Sequence, residues 1–262
     1  MISNYEIKTN KNSNIILSLD KAIQIIEILS GVRNGMSITE ISNILGFPKS
    51  TIHHILNTLL VHGYVSSDKN TKKYSLGLKF LTLSRSILDA IDISKIAHEN
   101  LRKLHDEARD TVHLSVLQDG QVYYIDKIEK PGSLSLSTYI GFSTDPHAAA
   151  GGKVLLSEIP RSEVIEIYKN KPLKAYSKKT ITNVYDLFDE LENVRQKGYA
   201  IDDEEYYEGV RCIAAPIRSG GKIVAAISLT GSIFTMTKER INDELLELLL
   251  HTTKRISSEL SW

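Results

Sequence analysis

The clearest pattern along the chain is a helical stripe of apolar residues within residues 49–60. Four of them recur at intervals of three and four residues, the period of one buried face of an α-helix. They are Ile52, Ile55, Leu56 and Leu59. The opposite side carries compact polar side chains instead of long charged ones: Ser50, Thr51, His53, His54, Asn57 and Thr58. The pattern predicts a helix that packs on one face and offers short hydrogen-bonding groups on the other.

Two further amphipathic patterns precede this helix. Residues 18–30 predict a first helix with Ser18 as its N-cap. Its predicted buried residues are Leu19, Ala22, Ile23, Ile26 and Leu29. Residues 38–45 predict a second helix, because Ser37 and Glu40 form the S-x-x-E pattern of a capping box. Gly46 ends that helix, and Phe47-Pro48 forms a tight turn into the next one.

A short basic hairpin is predicted directly after the third helix. Within residues 64–76, two β-prone runs flank a polar turn, and Lys69, Lys72 and Lys73 lie at or near its tip. Helix, helix-turn-helix and basic hairpin in this order indicate a winged helix-turn-helix. The third helix would enter the major groove of DNA and the hairpin would contact flanking phosphates. The alternative is a small three-helix domain that binds another protein.

The pattern changes from helices to strands in the second part of the chain. Helices are predicted at 78–91 and 93–108, and the first of them would link two domains. Strands at 111–118 and 121–129 are joined by Asp119-Gly120, a strong hairpin signal. Further strands are predicted at 133–140, 211–217 and 222–229, with helices near 145–156, 160–169, 183–197 and 237–259. An antiparallel sheet flanked by helices predicts an α+β fold.

Composition agrees with two domains of different character. The 262 residues carry no net charge, but residues 1–80 hold 9 Lys and Arg against 5 Asp and Glu, and the rest holds 23 against 27. A basic N-terminal part fits a DNA-binding module. The single cysteine excludes an internal disulfide framework and agrees with a cytoplasmic location. We find no signal peptide and no apolar run that could span a membrane.

Several sequence segments, taken in order, resemble one known family over nearly the whole chain. They are Ser18-Leu-Asp-Lys-Ala-Ile-Gln-Ile-Ile-Glu-Ile-Leu29, Lys49-Ser-Thr-Ile-His-His-Ile-Leu56, Lys73-Tyr-Ser-Leu-Gly77, Asp145-Pro-His-Ala-Ala-Ala-Gly-Gly-Lys-Val-Leu-Leu156, Gly198-Tyr-Ala-Ile-Asp-Asp-Glu-Glu205, Gly209-Val-Arg-Cys-Ile-Ala-Ala-Pro-Ile217 and Ala226-Ile-Ser-Leu-Thr-Gly231. Their order and spacing are similar to those of the IclR-type transcriptional regulators. The resemblance implies a winged helix-turn-helix joined by a linker helix to a GAF-like effector domain.

The resemblance also implies how such a protein works. Its members are dimers or dimers of dimers that regulate operons of small-molecule metabolism. We therefore expect a repressor, rather than an activator, of a catabolic operon, controlled by a small organic acid. The expected domain limits are a flexible arm at 1–14, the winged helix-turn-helix at 15–77, the linker helix at 78–92 and the effector domain at 93–262.

Two sets of functional residues follow from these patterns. The residues expected to contact DNA are Ser37, Lys49, Ser50, Thr51, His53, His54, Asn57, Lys69, Lys72 and Lys73. Carried over from the family, the residues expected to contact the effector are Ala150, Gly151, Asp202, Cys212, Ser228 and Thr230. The family often has Arg at the position of His54, and a neutral imidazole is a weaker phosphate anchor than a guanidinium.

The residues around the predicted effector pocket also have a local chemistry. A helix predicted to open at Asp145-Pro146 would direct backbone N–H groups toward an anion, and the small residues after it would let a ligand approach closely. Ser228 and Thr230 share one face of a strand. Asp202 does not suit a purely anionic ligand. These residues could instead serve packing alone, and the acidic run from Asp202 to Glu208 could be a solvated loop.

An enzyme is the alternative class of function. Cys212 with His113 or His147 could form a nucleophile–base pair, and His147, Cys212 and Asp202 could hold a metal ion. The sequence has no Walker loop, H-E-x-x-H or C-x-x-C motif. We expect a regulator with no catalytic residues, no cofactor and no resident metal.

Overall fold

The structure, a computed structural model, describes residues 15–90, 92–129, 138–169 and 171–260. The chain divides after Ala90 into two compact units. The first contains, in order, α1 (Leu17–Ser30), α2 (Ile38–Leu45), α3 (Lys49–Val61), β1 (Val65–Ser67), β2 (Tyr74–Leu76) and α4 (Lys79–Ala90). This is the predicted winged helix-turn-helix, and the predicted fold class is confirmed.

The second unit is the predicted α+β domain. It contains, in order, α5 (Asp92–Ala108), β3 (Thr111–Gln118), β4 (Gln121–Ile128), β5 (Ser143–Thr144), a 3₁₀ turn (Pro146–Ala148), α6 (Ala150–Leu156), α7 (Arg161–Tyr168), α8 (Val184–Lys197), β6 (Ala200–Asp203), β7 (Val210–Ser219), β8 (Lys222–Ser232), α9 (Lys238–Arg240), a π-helical stretch (Ile241–Leu245) and α10 (Leu246–Glu259). Among the described residues, every helix is too short or too polar to cross a membrane.

Local capping fixes the start of α2 as the sequence predicts. The Ser37 hydroxyl accepts the Glu40 N–H at 3.3 Å, and the Glu40 carboxylate accepts the Ser37 N–H at 2.7 Å. Gly46 ends the helix in the left-handed region at φ +71°. The capping box and the glycine together satisfy backbone groups that a helix end leaves unpaired. Ile52 and Leu56 of α3 are fully buried in the core that α2 and α3 share.

The predicted details of α1 need correction. The helix begins at Leu17, so Ser18 lies inside it and is not the N-cap. Its buried residues are Ile25, Ile28 and Leu29. Leu19 is 57% exposed and Ile23 46% exposed. The core lies against the C-terminal half of α1 only, so periodicity alone could not show which part of its apolar surface is covered.

The hairpin is held by a tight polar turn. The Asp68 carboxylate accepts the N–H groups of Asn70 and Thr71 at 2.7 and 3.0 Å, and these bonds lower the pKa of Asp68. Lys72 adopts φ +57°, in the left-handed region. Backbone hydrogen bonds of 2.8 Å in both directions join Tyr74 to Met36, which ties the hairpin to the segment between α1 and α2.

The sheet of the second unit is antiparallel throughout, with strand order β5-β4-β3-β8-β7-β6. Asp119 and Gly120 both adopt positive φ, +50° and +71°, the requirement of the tight hairpin turn predicted between β3 and β4. Helix α6 packs on β7 and β8, where Ala150 and Val154 contact Ala214 and Ala226.

Two predicted elements differ from the structure, and two observed strands were not predicted. Residues 133–137 of the predicted strand 133–140 lie outside the described residues, and 138–140 are not a strand. The helix predicted at 145–156 is interrupted at Ala149, whose backbone is extended at φ −110° and ψ 137°. Strands β5 and β6 were not predicted, since one is very short and the other resembles an acidic loop in sequence.

Candidate DNA-binding surface and ligand cavity

Helix α3 presents its polar face to solvent. Its apolar stripe anchors the helix in the core, so the remaining side chains point outward. Lys49, Ser50, His53, His54 and Asn57 are exposed, and Thr51 is half-buried. The Asn57 amide lies 3.4 Å from His53 Nδ1, a contact that a base edge could replace. We call these six residues the α3 polar face.

The hairpin supplies the positive charge. Lys69 and Lys72 are exposed, and the Lys73 ammonium lies 3.8 Å from a Glu40 carboxylate oxygen. The hydroxyl of Ser37 donates to that same carboxylate at 2.7 Å. Ser37 therefore orients the start of α2, and its hydroxyl is already engaged in the folded unit.

The second unit encloses a cavity at the start of α6. About 450 Å³ of space between atoms, part of it open solvent, lies among fourteen residues. They are His113, Tyr124, Thr138, Phe142, Ala149, Ala150, Gly151, Asp202, Tyr206, Tyr207, Val210, Cys212, Ser228 and Thr230. All six residues predicted for the effector therefore line one cavity.

Strand register explains why distant residues meet there. Cys212 on β7 stands opposite both Asp202 on β6 and Thr230 on β8. Two residues from Thr230 along β8, Ser228 stands opposite His113 on β3. Because residues directly opposite in an antiparallel pair share a face, these polar side chains form two adjacent rows on one side of the sheet.

Asp202 is buried in the wall of the cavity and is not part of a solvated loop. Its Oδ1 accepts the N–H of Glu205 at 2.7 Å and that of Tyr206 at 3.4 Å. Burial, and secondarily the neighbouring Glu205 carboxylate, raise the pKa of Asp202 to about 7. Near neutral pH the side chain is therefore divided between its acid and carboxylate forms.

His113 lines the cavity as a neutral imidazole. Its Nε2 lies 3.0 Å from the Thr138 hydroxyl, whereas its buried Nδ1 has no partner among the described residues. Burial, and secondarily the Lys127 ammonium, lower the pKa of His113 to about 3. An unpartnered buried ring nitrogen is available to a ligand.

The sequence-based prediction did not place His113 or four aromatic residues in the lining of this cavity. Polar and apolar residues alternate along Thr111–Ser115, a signal that could have placed His113 on the polar face of the sheet. The aromatic residues of the cavity are Tyr124, Phe142, Tyr206 and Tyr207. The rings of Tyr124 and Phe142 are nearly parallel, with centroids 5.9 Å apart, and their distance in sequence hid this pairing.

A buried ion cluster supports the cavity from behind. The Lys153 ammonium on α6 donates to Glu205 at 2.7 Å, Glu190 at 3.1 Å and the Ile201 carbonyl at 2.5 Å. Lys153 is 1% exposed. Since the N–H of Glu205 holds Asp202, the cluster fixes the cavity wall to α6 and α8. The sequence-based prediction missed Lys153 altogether.

The helix start predicted at Asp145 is a short 3₁₀ turn, Pro146–Ala148, with Asp145 at its N-cap position, and the Asp145 side chain makes no capping hydrogen bond to it. Asp145 instead accepts hydrogen bonds from Tyr176 at 2.6 Å, from Gln121 at 3.0 Å and from Lys171. Burial opposes its ionisation, but the hydrogen bonds led by that of Lys171 outweigh burial and lower the pKa of Asp145 to about 2.

Of the residues considered for an enzyme, Cys212 and His113 line the same cavity and His147 does not. Burial, and secondarily Asp202, raise the pKa of the Cys212 thiol well above its usual range, which disfavours a thiolate nucleophile. His147 is buried away from the cavity lining, with Nε2 3.0 Å from the Lys174 carbonyl. Within the part of the chain that the structure describes, no three His, Cys, Asp or Glu side chains are grouped to hold a metal ion.

A winged helix-turn-helix and a unit with a cavity that gathers several polar side chains, joined in one chain, are typical of a ligand-responsive DNA-binding regulator. Comparison with known proteins agrees. The family description "IclR helix-turn-helix domain" matches residues 18–69, and "Bacterial transcriptional regulator IclR C-terminal" matches residues 85–258. The chain belongs to the IclR family of DNA-binding transcriptional regulators, whose C-terminal domain binds the effector.

Individual relatives span the same two units. The HTH-type transcriptional regulator KdgR of Escherichia coli is 32% identical over 255 residues, 97% of this chain and 96% of KdgR. The crystal structure of Thermotoga maritima IclR has a TM-score of 0.79 at 31% identity, covering 94% of this chain and 99% of that one. An IclR homologue from Microbacterium hydrocarbonoxydans, solved with 4-hydroxybenzoate, has a TM-score of 0.78 at 22% identity and covers 93% and 98%.

Proposed function

We propose that this protein represses a catabolic operon and that a small organic-acid-like effector in the α6 cavity changes its affinity for the operator. The observation that carries the proposal is the cavity itself, because all six residues predicted for the effector line it. For allostery, the effector must bind the DNA-bound and DNA-free forms with different affinities. We further propose that the protein has no catalytic activity, which the raised pKa of the Cys212 thiol supports.

The proposed contacts to DNA divide by chemistry. Asn57 and His53 of α3 would read base edges in the major groove, because their donors and acceptors match those edges, and His54 would contact a phosphate. Lys49 at the start of α3, the hairpin lysines and the small hydroxyls of Ser50 and Thr51 would contact phosphates. Ser37 would contribute by holding the start of α2.

We propose a homodimer, or a dimer of dimers, as the binding form. Apolar side chains on two helices of the first unit are left uncovered: Leu17 is 70% exposed, Leu81 67% and Ile87 63%. Exposed apolar surface of this kind is typical of a subunit interface. Two winged units related by a two-fold axis would read a pseudo-palindrome in successive major grooves.

The direct test is fluorescence anisotropy of the full chain on duplex DNA from upstream of its own gene. We expect preference for this duplex over a scrambled duplex of equal length at about 150 mM salt, where nonspecific binding is weak. Asn57→Ala should cost about 1–3 kcal/mol on the native duplex only. Lys49→Ala should weaken binding to both duplexes and reduce the salt slope by about 1.

Lys169→Ala is the matched control, since Lys169 is exposed on the second unit and pairs with Glu166. An enzyme or a protein-binding module would show no duplex preference and no loss with either α3 variant. The proposed function would also be rejected if the protein, with metabolites added, bound wider genomic fragments no better than scrambled DNA.

Replacing His54 with Arg should tighten DNA binding several-fold at pH 8. The exposed His54 side chain lies on the α3 polar face, and a guanidinium stays charged at this pH and can hold a phosphate with two hydrogen bonds. His62→Arg adds the same charge at the exposed end of α3 and is the control. Unchanged affinity, or an equal gain in both variants, would contradict this role for His54.

A further inference from the structure

The cavity contains several polar side chains but no positively charged one among its described lining residues. Asp202 is the one carboxyl group among them. The nearest ammonium groups already have acceptors. Lys153 is held by two glutamates and a carbonyl. Lys127 donates to the Thr138 carbonyl at 2.7 Å and pairs with Glu129 at 2.6 Å.

The remaining polar groups of the lining are uncharged. They are the neutral imidazole of His113 with its unpartnered Nδ1, the hydroxyls of Thr138, Ser228 and Thr230, the phenols of Tyr124, Tyr206 and Tyr207, and the thiol of Cys212. Such groups recognise hydroxyl, carbonyl and amide groups by hydrogen bonds, whereas an isolated carboxylate needs compensation when it leaves water.

We propose that the cavity accepts only ligands that add no net charge: a hydroxylated neutral molecule directly, and an organic acid only together with a proton carried by Asp202. This inference rests on the proposed function, in that the cavity is the effector site. It restricts the effector to molecules whose binding leaves the net charge of the cavity unchanged, a restriction that the sequence alone did not provide.

The rule follows from placing two carboxylates in one enclosed space. Like charges at short distance cannot both remain ionised, so one of the pair takes up a proton. Asp202 Oδ1 already accepts two backbone N–H groups, so Oδ2 would carry the proton and donate it to the carboxylate of the ligand. The proton comes from solvent, and no bond in the ligand breaks.

The charged and titratable groups around Asp202 do not remove this requirement. Glu205, on the segment after β6, adds negative charge, and Cys212 on β7 and Tyr124 on β4 are neutral thiol and phenol. Lys153 on α6 is the one cation acting on Asp202 among the described residues, and it is shared with Glu205 and Glu190.

The proton requirement sets the direction and size of the pH dependence. With the pKa of Asp202 near 7, the empty site is mostly protonated at pH 6 and mostly ionised at pH 8. If only the protonated site binds an acid, the dissociation constant should be about tenfold larger at pH 8 than at pH 6. A neutral analogue should show no such change.

Isothermal titration calorimetry of the full chain tests the rule with matched probes. Glycolate is paired with glycolamide, and 4-hydroxybenzoate with 4-hydroxybenzamide, at pH 6 and pH 8. Each titration is repeated in phosphate and Tris, whose different ionisation heats reveal proton uptake. We expect the acids to take up about one proton at pH 8 and to bind about tenfold more weakly there. The amides should take up none and bind equally at both pH values.

Asp202→Asn gives a second, independent readout. Its amide oxygen can accept the same two backbone N–H groups and its NH₂ can donate as the protonated acid does. We expect this variant to bind the acids at pH 8 as tightly as the wild type does at pH 6. Asp203→Asn is the matched control, because Asp203 pairs with Arg211 and lies outside the cavity lining. The proton-uptake result needs only the wild type.

Three outcomes would overturn the inference. The first is that the acids bind without proton uptake. The second is that Asp203→Asn weakens the pH dependence of acid binding as much as Asp202→Asn does. The third is that none of the four probes binds. Anisotropy on DNA is measured separately on the same samples. Loss of duplex preference would reject the proposed regulator without altering the calorimetric result, so the two failures can be told apart.

Discussion

Replacing Lys153 with Met should destabilise the second unit by about 3–5 kcal/mol, because it leaves the buried Glu205 carboxylate and the half-buried Glu190 carboxylate without their cation. Burial alone would lower the pKa of Lys153, but the carboxylates of Glu205 and Glu190 outweigh it and raise the pKa. A raised pKa means that the stabilisation is fully present below the unfolded value near 10.5 and is lost only at higher pH. The loss should therefore be nearly constant from pH 6 to pH 9.

Urea unfolding, followed by a signal from the second unit, measures the effect of Lys153→Met. Lys169→Met is the matched control, since Lys169 forms an exposed pair with Glu166 at 3.0 Å, and it should change stability by less than about 1 kcal/mol. Adding Glu205→Gln to Lys153→Met should restore part of the loss by removing one uncompensated charge. Equal stability of the two Lys→Met variants would show that the buried cluster is not stabilising.

Replacing Gly152 with Ala should cost about 3 kcal/mol, although alanine is the better helix former by about 1 kcal/mol. A Cβ at this position would lie 2.3 Å from the Pro146 carbonyl oxygen and 2.4 Å from its Cα. Backbone atoms at such distances must move apart. The movement would separate α6 from the 3₁₀ turn and deform the cavity wall that α6 contributes.

Gly151→Ala is the comparison for the Gly152→Ala variant. The nearest atom to its new Cβ is the Ser115 hydroxyl oxygen at 2.9 Å, a side-chain atom and not a backbone atom, and its hydrogen bond to the Ala226 carbonyl would have to shift. Thermal melting should show a clear loss for Gly152→Ala and a much smaller change for Gly151→Ala. A higher melting temperature for Gly152→Ala would mean that helix propensity outweighs the contact with Pro146.

Features fixed by neighbouring residues in sequence were predictable. Ser37 with Glu40, and Asp119 with Gly120, specify a helix start and a hairpin through contacts across at most three residues. The stripe of α3 also identified its own buried face, since the core covers the helix along most of its length. These local signals are sufficient to define a winged helix and an antiparallel sheet.

Features that depend on distant neighbours were not predictable in the same way. The exposure of Leu19 on α1 depends on how far the core extends. Lys153 reads as an ordinary lysine in sequence, because its three acceptors come from α8, β6 and the segment that follows. The six predicted cavity residues came from the family resemblance, while His113 and the aromatic residues of the cavity required the strand register to be known.

Lys72 places a positively charged side chain in the hairpin turn at a cost in folding stability. A side chain at φ +57° costs about 1–2 kcal/mol relative to glycine. Glycine or asparagine at this position should therefore give a more stable protein than lysine. Selection of thermostable variants by melting temperature alone would therefore enrich changes that remove a cation from the hairpin. Engineering of this protein for robustness should rank candidates by DNA retention as well as by heat resistance.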